Sequence, residues 1–221
     1  GARRHLVAPA GAVLSADVPV RAYDRAGLTP AILHVGVGNF HRAHMAHYLD
    51  RLFATGEGHG WALRGAGVRP GDAAMRDRLA AQDWLSTVVE LDPQALSARV
   101  IGSMVDFVAV EPEATITAMA DPVTRIVSLT ITEGGYYVDA LTDGFDASHP
   151  DMVADAESPD TPKTVFGMII LALRRRRDAG LAPFTVMSCD NLPENGHVAK
   201  RTIIGLARLF DPPFAAWIAP Q

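Results

Sequence analysis

The stretch AILHVGVGNFHRAH, residues 31–44, constrains the fold of this chain more than any other. Residues 31–37 form a short apolar run halted by glycine, the pattern of a strand buried on both faces of a parallel sheet. Residues 40–53 then space Ala43, Tyr48, Leu49 and Leu52 as a helix does. Between them Gly36 and Gly38 match the first two glycines of G-x-G-x-x-G, where the first permits a sharp bend and the second lets the backbone approach a pyrophosphate. His41 stands where a third small residue normally sets helix-to-sheet packing, so the packing distance changes while the phosphate-facing glycines stay. A glycine turn with no ligand is the plainer alternative. Arg42 follows in the first helical turn, where a guanidinium could reach a phosphate oxygen.

The alternation continues along the chain. A loop with Gly56, Gly58 and Gly60 leads into an expected strand over residues 61–68, then a helix over residues 72–82 for which Asp72 is a candidate cap. Residues 85–91, 99–104 and 125–132 have strand composition, and residues 113–120 are helical. Thr161 and Pro162 read as the cap and first position of a helix that runs through FGMIILALRRRR and ends before Gly180. Residues 184–188 predict another strand and residues 195–209 another helix. Together these imply an α/β chain of the Rossmann type, with a doubly wound, mostly parallel sheet and helices on both faces. Residues 31–221 make up that domain, and residues 1–30, broken by Pro9, Pro19 and Pro30, read as an irregular arm covering it. The four arginines at residues 174–177 fall at a negative helix end and read as solvated, with a phosphate or partner site as the alternative.

Composition narrows the partners. Twenty-five acidic against twenty basic residues give a net charge of −5, which argues against nucleic acid. Cys189 is the single cysteine, so no intrachain disulfide can form and a cytoplasmic setting fits. No apolar run approaches the roughly 20 residues that span a bilayer, and a membrane is not expected as a partner. The chain begins without Met, consistent with a processed or trimmed start. No G-x-S-x-G, C-x-x-C or P-loop supports hydrolase, dithiol or NTPase chemistry.

Three further segments carry candidate chemistry. An acid after the second strand of a dinucleotide fold accepts hydrogen bonds from the adenosine ribose and repels the 2′-phosphate of NADP. Asp72, in GVRPGD, is that candidate for NAD; simple helix capping is its alternative, and Arg69 keeps NADP open. TITEGGYY, residues 130–137, ends a strand at the carboxyl edge of the sheet, bringing Thr132 and Glu133 there with two glycines that allow close approach of a ligand. SCDNLPENG, residues 188–196, also follows a strand, and the Asn191 amide could donate to a polarised oxygen; turn or cap roles for Asp190 and Asn191 are the alternative. His41, His44 and His47 recur every three residues, which raises the question of a metal. With no carboxylate evident nearby, they are expected as polar surface or interdomain residues and no metal is expected.

GVGNFHRAH, RPGDAAMRDRLAAQD, SLTITEGGYY, PKTVFG and FTVMSCDNLPENGHVAK, in this order and spacing, resemble the mannitol dehydrogenase family of long-chain polyol dehydrogenases over residues 31–218. The resemblance is greatest to the mannitol-oxidising members, with the fructuronate reductases, which act on a sugar acid, second. It implies a zinc-independent, two-domain oxidoreductase that moves hydride between NAD(P) and a secondary alcohol such as that of mannitol, giving fructose. It implies further that Gly36, Gly38, Asn39 and Phe40 meet the pyrophosphate, that Asp72 is the ribose-side acid, that Asn191 helps hold the alkoxide or carbonyl oxygen, and that Glu133 lies near the reaction centre. The family's catalytic lysine, with a companion Asn and His, belongs to a helical C-terminal domain that would begin after AAWIAPQ. Lys163 and Lys200 sit in no such motif and read as helix-surface residues. The chain is therefore expected to hold a cofactor better than it turns over a polyol or sugar acid, with a non-catalytic nucleotide-binding module as the rival reading.

Overall fold

The structure, a computed structural model, describes residues 23–92, 95–139 and 141–220. In chain order its elements are β1 (Ile32–Val35), α1 (Asn39–Ala43), α2 (Met45–Ala54), β2 (Leu63–Ala66), α3 (Asp72–Ala80), β3 (Ser86–Asp92), β4 (Ala95–Ile101), β5 (Met104–Phe107), α4 (Pro112–Ala120), β6 (Ile126–Leu129), α5 (Pro150–Glu157), α6 (Val165–Asp178), β7 (Thr185–Ser188), α7 (Asn195–Phe210) and α8 (Pro212–Ile218). Five strands form one parallel sheet in the order β5-β2-β1-β6-β7, with β1 at its centre.

Alternation along the central strands divides the core in two. Leu33 and Val35 of β1, with Val127 and Leu129 of β6, face a cluster completed by Met119 of α4, Ile169 of α6, Leu206 of α7 and Phe214 of α8. Ile32 of β1 and Leu63 of β2 face the opposite cluster, with Ala46 of α2, Leu79 of α3 and Phe107 of β5. Burial on both faces is what makes these strands read as continuous apolar runs. The chain is doubly wound, as the sequence predicts.

Several local expectations change. Residues 85–91 do not join the main sheet; β3 pairs antiparallel with β4 as a separate two-stranded ribbon. Strand composition reports a half-buried extended segment and is silent about its partner. The single strand expected over residues 99–104 is divided between β4 and β5, because Gly102 and Ser103 turn inward. Gly102 N–H donates to Asp50 Oδ1 at 2.8 Å and Ser103 Oγ donates to the Ala46 carbonyl at 2.6 Å. The helix expected over residues 40–53 breaks at His44 (φ −114°, ψ −89°), which lets His41 of α1 and Ala46, His47 and Phe53 of α2 all turn inward.

The long helix α6 starts at Val165, later than Thr161 and Pro162 suggest. Its cap is Thr164, whose Oγ1 accepts the Gly167 N–H, while the buried Asp155 carboxylate draws the chain in by accepting the Thr164 N–H and O–H. Within the arginine run, Arg176 is not solvated: it is 5 % exposed and donates to the carbonyls of Asp121, Thr124 and Ala182. Of the arm expected over residues 1–30, residues 1–22 lie outside the described residues. Tyr23, at the start of the described part, donates to Asp50 Oδ1 and packs edge-on against Phe53.

Candidate functional site

The carboxyl ends of β1, β2 and β6 open into a cleft of about 390 Å³. In a doubly wound sheet this is where the strand order reverses and loops diverge, leaving a crevice for a ligand. Gly36 forms the bend at φ +95°, and a Cβ there would lie 2.0 Å from the Thr130 carbonyl oxygen. Only glycine fits. Gly38 differs: a Cβ would meet nothing nearer than the Gly36 carbonyl at 3.8 Å, so the protein's own packing does not require glycine there. Its missing side chain leaves the floor of the cleft open.

Behind the bend lies a buried polar column that the sequence reading did not single out. Thr130 Oγ1 donates to the Gly36 carbonyl at 2.6 Å, so its one proton is committed. The His34 Nε2, 2.9 Å away, must then be the donor to that oxygen, and Nδ1 accepts from Ser128 Oγ at 2.8 Å. His34 is thus neutral, in keeping with a pKa that burial pushes down to about 3. His41 stacks on it with ring centroids 3.6 Å apart. Burial, reinforced by the neighbouring His34 and Arg42, holds His41 well below the ordinary histidine range. An imidazole thus fills the helix-to-sheet gap that a third glycine would close.

The three histidines spaced by three do not share a face. His41 is buried against His34, His44 is exposed and stacks on Phe40, and His47 faces Glu90 at 3.8 Å. Among the described residues no group of three His, Cys, Asp or Glu side chains could hold a metal ion.

Of the residues the sequence nominates, the cleft brings together Gly36, Gly38, Arg69, Asp72 and Thr132. Asp72 is the first residue of α3, after its cap Gly71, and does not cap that helix. Its Oδ2 accepts the N–H groups of Val68 and Arg69 at 2.8 and 2.9 Å and so clamps the loop after β2. Arg69 is exposed at the rim, and Tyr137 lines the opposite wall, its phenol pushed up to about 12 by burial and by Asp151. Lys163 also lines the cleft, from an exposed position, whereas Lys200 borders a separate groove beside β7.

Phe40 borders the neighbouring apolar groove with His34, His41 and Thr130, and is 55 % exposed. Arg42 is turned onto its own helix, donating to the Gly38 carbonyl at 3.2 Å and to Asn39 Oδ1 at 2.5 Å. Glu133 and Asn191 are exposed on adjacent loops, at the ends of β6 and β7, and neither lines the cleft. Between them Asp190, which the sequence suggests only as a turn or cap residue, bonds both loops together. Its signal in the sequence is no more than an acid next to the asparagine.

A parallel sheet of this order, with a glycine bend at the end of its central strand and an acid after the next, defines a dinucleotide-binding domain. The chain belongs to the mannitol dehydrogenase family, whose Rossmann domain it matches over residues 30–221. It is 64 % identical over 201 residues to a mannitol 2-dehydrogenase of Cereibacter sphaeroides, a match covering 90 % of this chain and 42 % of that protein. A polyol:NADP oxidoreductase of Gluconobacter oxydans is 43 % identical over 210 residues, covering 93 % and 43 %. In three dimensions the chain resembles the Pseudomonas fluorescens mannitol 2-dehydrogenase, solved as a ternary complex with NAD and D-mannitol, with a TM-score of 0.90 and 46 % identity, covering 94 % of this chain and 43 % of that one. A substrate-free D-sorbitol dehydrogenase follows at 0.87 and 42 %, with the same coverage. The chain therefore spans well under half the length of these relatives.

Proposed function

We propose that the chain is the cofactor-binding part of an NAD-dependent polyol dehydrogenase that interconverts a secondary alcohol such as that of mannitol with the corresponding ketose. The observation that carries this reading is the cleft at the carboxyl ends of β1, β2 and β6, with Gly38 open to it where internal packing asks for no glycine. Similarity to a dehydrogenase solved with NAD and mannitol supports the choice of ligands.

The residues present fit a dinucleotide. The backbone at Gly36 and Gly38 would hold the pyrophosphate, and because α1 has only five residues the hold comes from individual N–H groups more than from a helix dipole. Asp72 keeps one carboxylate oxygen uncommitted to the loop N–H groups, suited to a ribose hydroxyl. Thr132 would form the wall on the β6 side. Bound NAD supplies the hydride acceptor or donor. The chain's own contribution to chemistry would be the Asn191 amide, which the family resemblance implies donates to the substrate oxygen as negative charge develops, with Glu133 on the neighbouring loop. A general base would come from outside these residues, as the family resemblance implies, so the chain alone binds cofactor and turns over little substrate.

Titration calorimetry tests this directly. The 221-residue chain is expected to bind NAD with a dissociation constant in the micromolar range, as cofactor domains do, and to oxidise mannitol only in trace. Absence of heat up to millimolar NAD overturns the reading; oxidation of mannitol at an ordinary dehydrogenase rate overturns the assignment of the base to a region outside the chain.

A further inference from the structure

Thr132 has φ +69° and ψ 158°, a region of backbone space that is essentially reserved for glycine. A threonine stays there only if its surroundings hold it. Asp190, two residues past the end of β7, does so: its Oδ1 accepts the Thr132 N–H at 3.1 Å, and its Oδ2 accepts the Ile131 N–H at 2.9 Å and the Tyr136 hydroxyl at 2.7 Å. The Tyr136 proton being committed there, Ser188 Oγ donates to the same phenol at 2.6 Å. Asn195 fixes the carboxylate's own backbone by donating from Nδ2 to the carbonyls of Ser188 and Asp190 at 3.2 and 3.1 Å. One side chain of the β7 loop therefore sets the shape of the β6 loop.

We propose that Asp190 is a positioning residue for the nicotinamide half of the cofactor: by holding Thr132 in a glycine-like conformation it shapes the cleft wall, and it fixes Glu133 relative to Asn191. This rests on the cofactor reading above. The wall in question belongs to the second half of the sheet, across the crevice from the ribose-side loop of Val68 to Asp72, so the two halves of a dinucleotide feel Asp190 differently. Tyr136, fully buried, has its hydroxyl pKa raised by burial and serves as an uncharged donor throughout the working range.

The test compares NAD with ADP, which occupies only the ribose-and-phosphate half. Asp190→Asn keeps the size but cannot accept all three donors, and is expected to weaken NAD about tenfold or more while ADP changes less than about threefold. Tyr136→Phe removes one donor to the carboxylate and leaves the Ile131 and Thr132 N–H donors in place, and is expected to leave both affinities within about threefold. Glycine adopts the Thr132 conformation unaided, so Thr132→Gly added to Asp190→Asn is expected to recover part of the NAD affinity that Asp190→Asn alone loses, which a general loss of stability would not allow. In the unsubstituted chain the Ile131 and Thr132 amides are expected to exchange with solvent as slowly as those of β6, a readout independent of whether any variant folds. Fast exchange at both amides, or NAD and ADP weakened equally by Asp190→Asn, or neither weakened, overturns the positioning role alone. An unsubstituted chain that binds neither nucleotide overturns the cofactor reading and this proposal with it.

Discussion

His41 lies on His34 with the two imidazole planes 11° from parallel, and neither ring is more than 1 % exposed. One ring comes from the helix after the glycine bend, the other from the centre of the sheet. Through Thr130, which links His34 to the Gly36 carbonyl, the pair is mechanically part of the bend. The departure from the usual glycine pattern is therefore a packing solution.

Both rings titrate below the ordinary histidine value of 6.5, His34 to about 3 and His41 well below its usual range, so the folded state binds protons less readily than the unfolded one. The stability this confers is fully present above pH 6.5 and falls as pH drops from there, for His34 down toward 3, by up to about 1.4 kcal/mol per pH unit for a ring that takes up no proton in the fold. Urea midpoints measured at pH 7.5, 6 and 5 are expected to decline accordingly. His41→Phe, which keeps an aromatic ring and cannot titrate, is expected to make the decline shallower; an unchanged slope would show that His41 is protonated in the fold.

The two glycines of the bend are expected to separate under substitution. Gly36→Ala places a Cβ against the Thr130 carbonyl and in a left-handed conformation, and should destabilise the fold by about 3 kcal/mol or more and abolish NAD binding. Gly38→Ala makes only an ordinary contact with the Gly36 carbonyl at 3.8 Å, so the thermal midpoint should hold while NAD affinity drops by about tenfold. Equal effects of the two on stability would remove the reason for assigning Gly38 to a ligand.

Asp72→Ala is expected to act twice. It releases the N–H groups of Val68 and Arg69, and it removes the carboxylate that would repel a 2′-phosphate. NAD binding should weaken and NADP binding strengthen, narrowing the ratio by about tenfold, with the exposed Arg69 free to turn toward the added phosphate. Calorimetry with both nucleotides decides, and an unchanged preference removes Asp72 from the site.

Arg176→Met is expected to lower stability by about 3 kcal/mol, because three buried or half-buried carbonyls lose a shared charged donor. Arg174→Met, on the exposed flank beside Asp160, should stay within about 1 kcal/mol in the same denaturation experiment.

The repeating strand-and-helix pattern was readable because both faces of the main sheet are covered, which writes apolar runs into the chain at β1, β6 and α6. The glycine bend, Asp72 and Thr132 were readable for a different reason: each sits just past a strand, where the fold class itself places a cleft. The β3–β4 ribbon was not, since residues 85–91 have the composition of any strand and pairing is decided by segments far apart in sequence. Nor was the inward turn of Arg176, which looks like its three neighbours until the carbonyls around it are in place.

By itself, then, the chain's pattern of apolar runs and turn residues determined a doubly wound sheet with a nucleotide-type bend, because periodicity and backbone sterics act locally. Only the tertiary structure decided what His41 and Asp190 do. A histidine in a helix and an aspartate in a turn carry no local mark of their partners; one became a packing ring and the other a clamp because His34, Ile131, Thr132 and Tyr136 arrive beside them from strands and loops up to 59 residues away. Burial then fixed their chemistry, excluding water so that one ring stays neutral and one carboxylate is held by its donors.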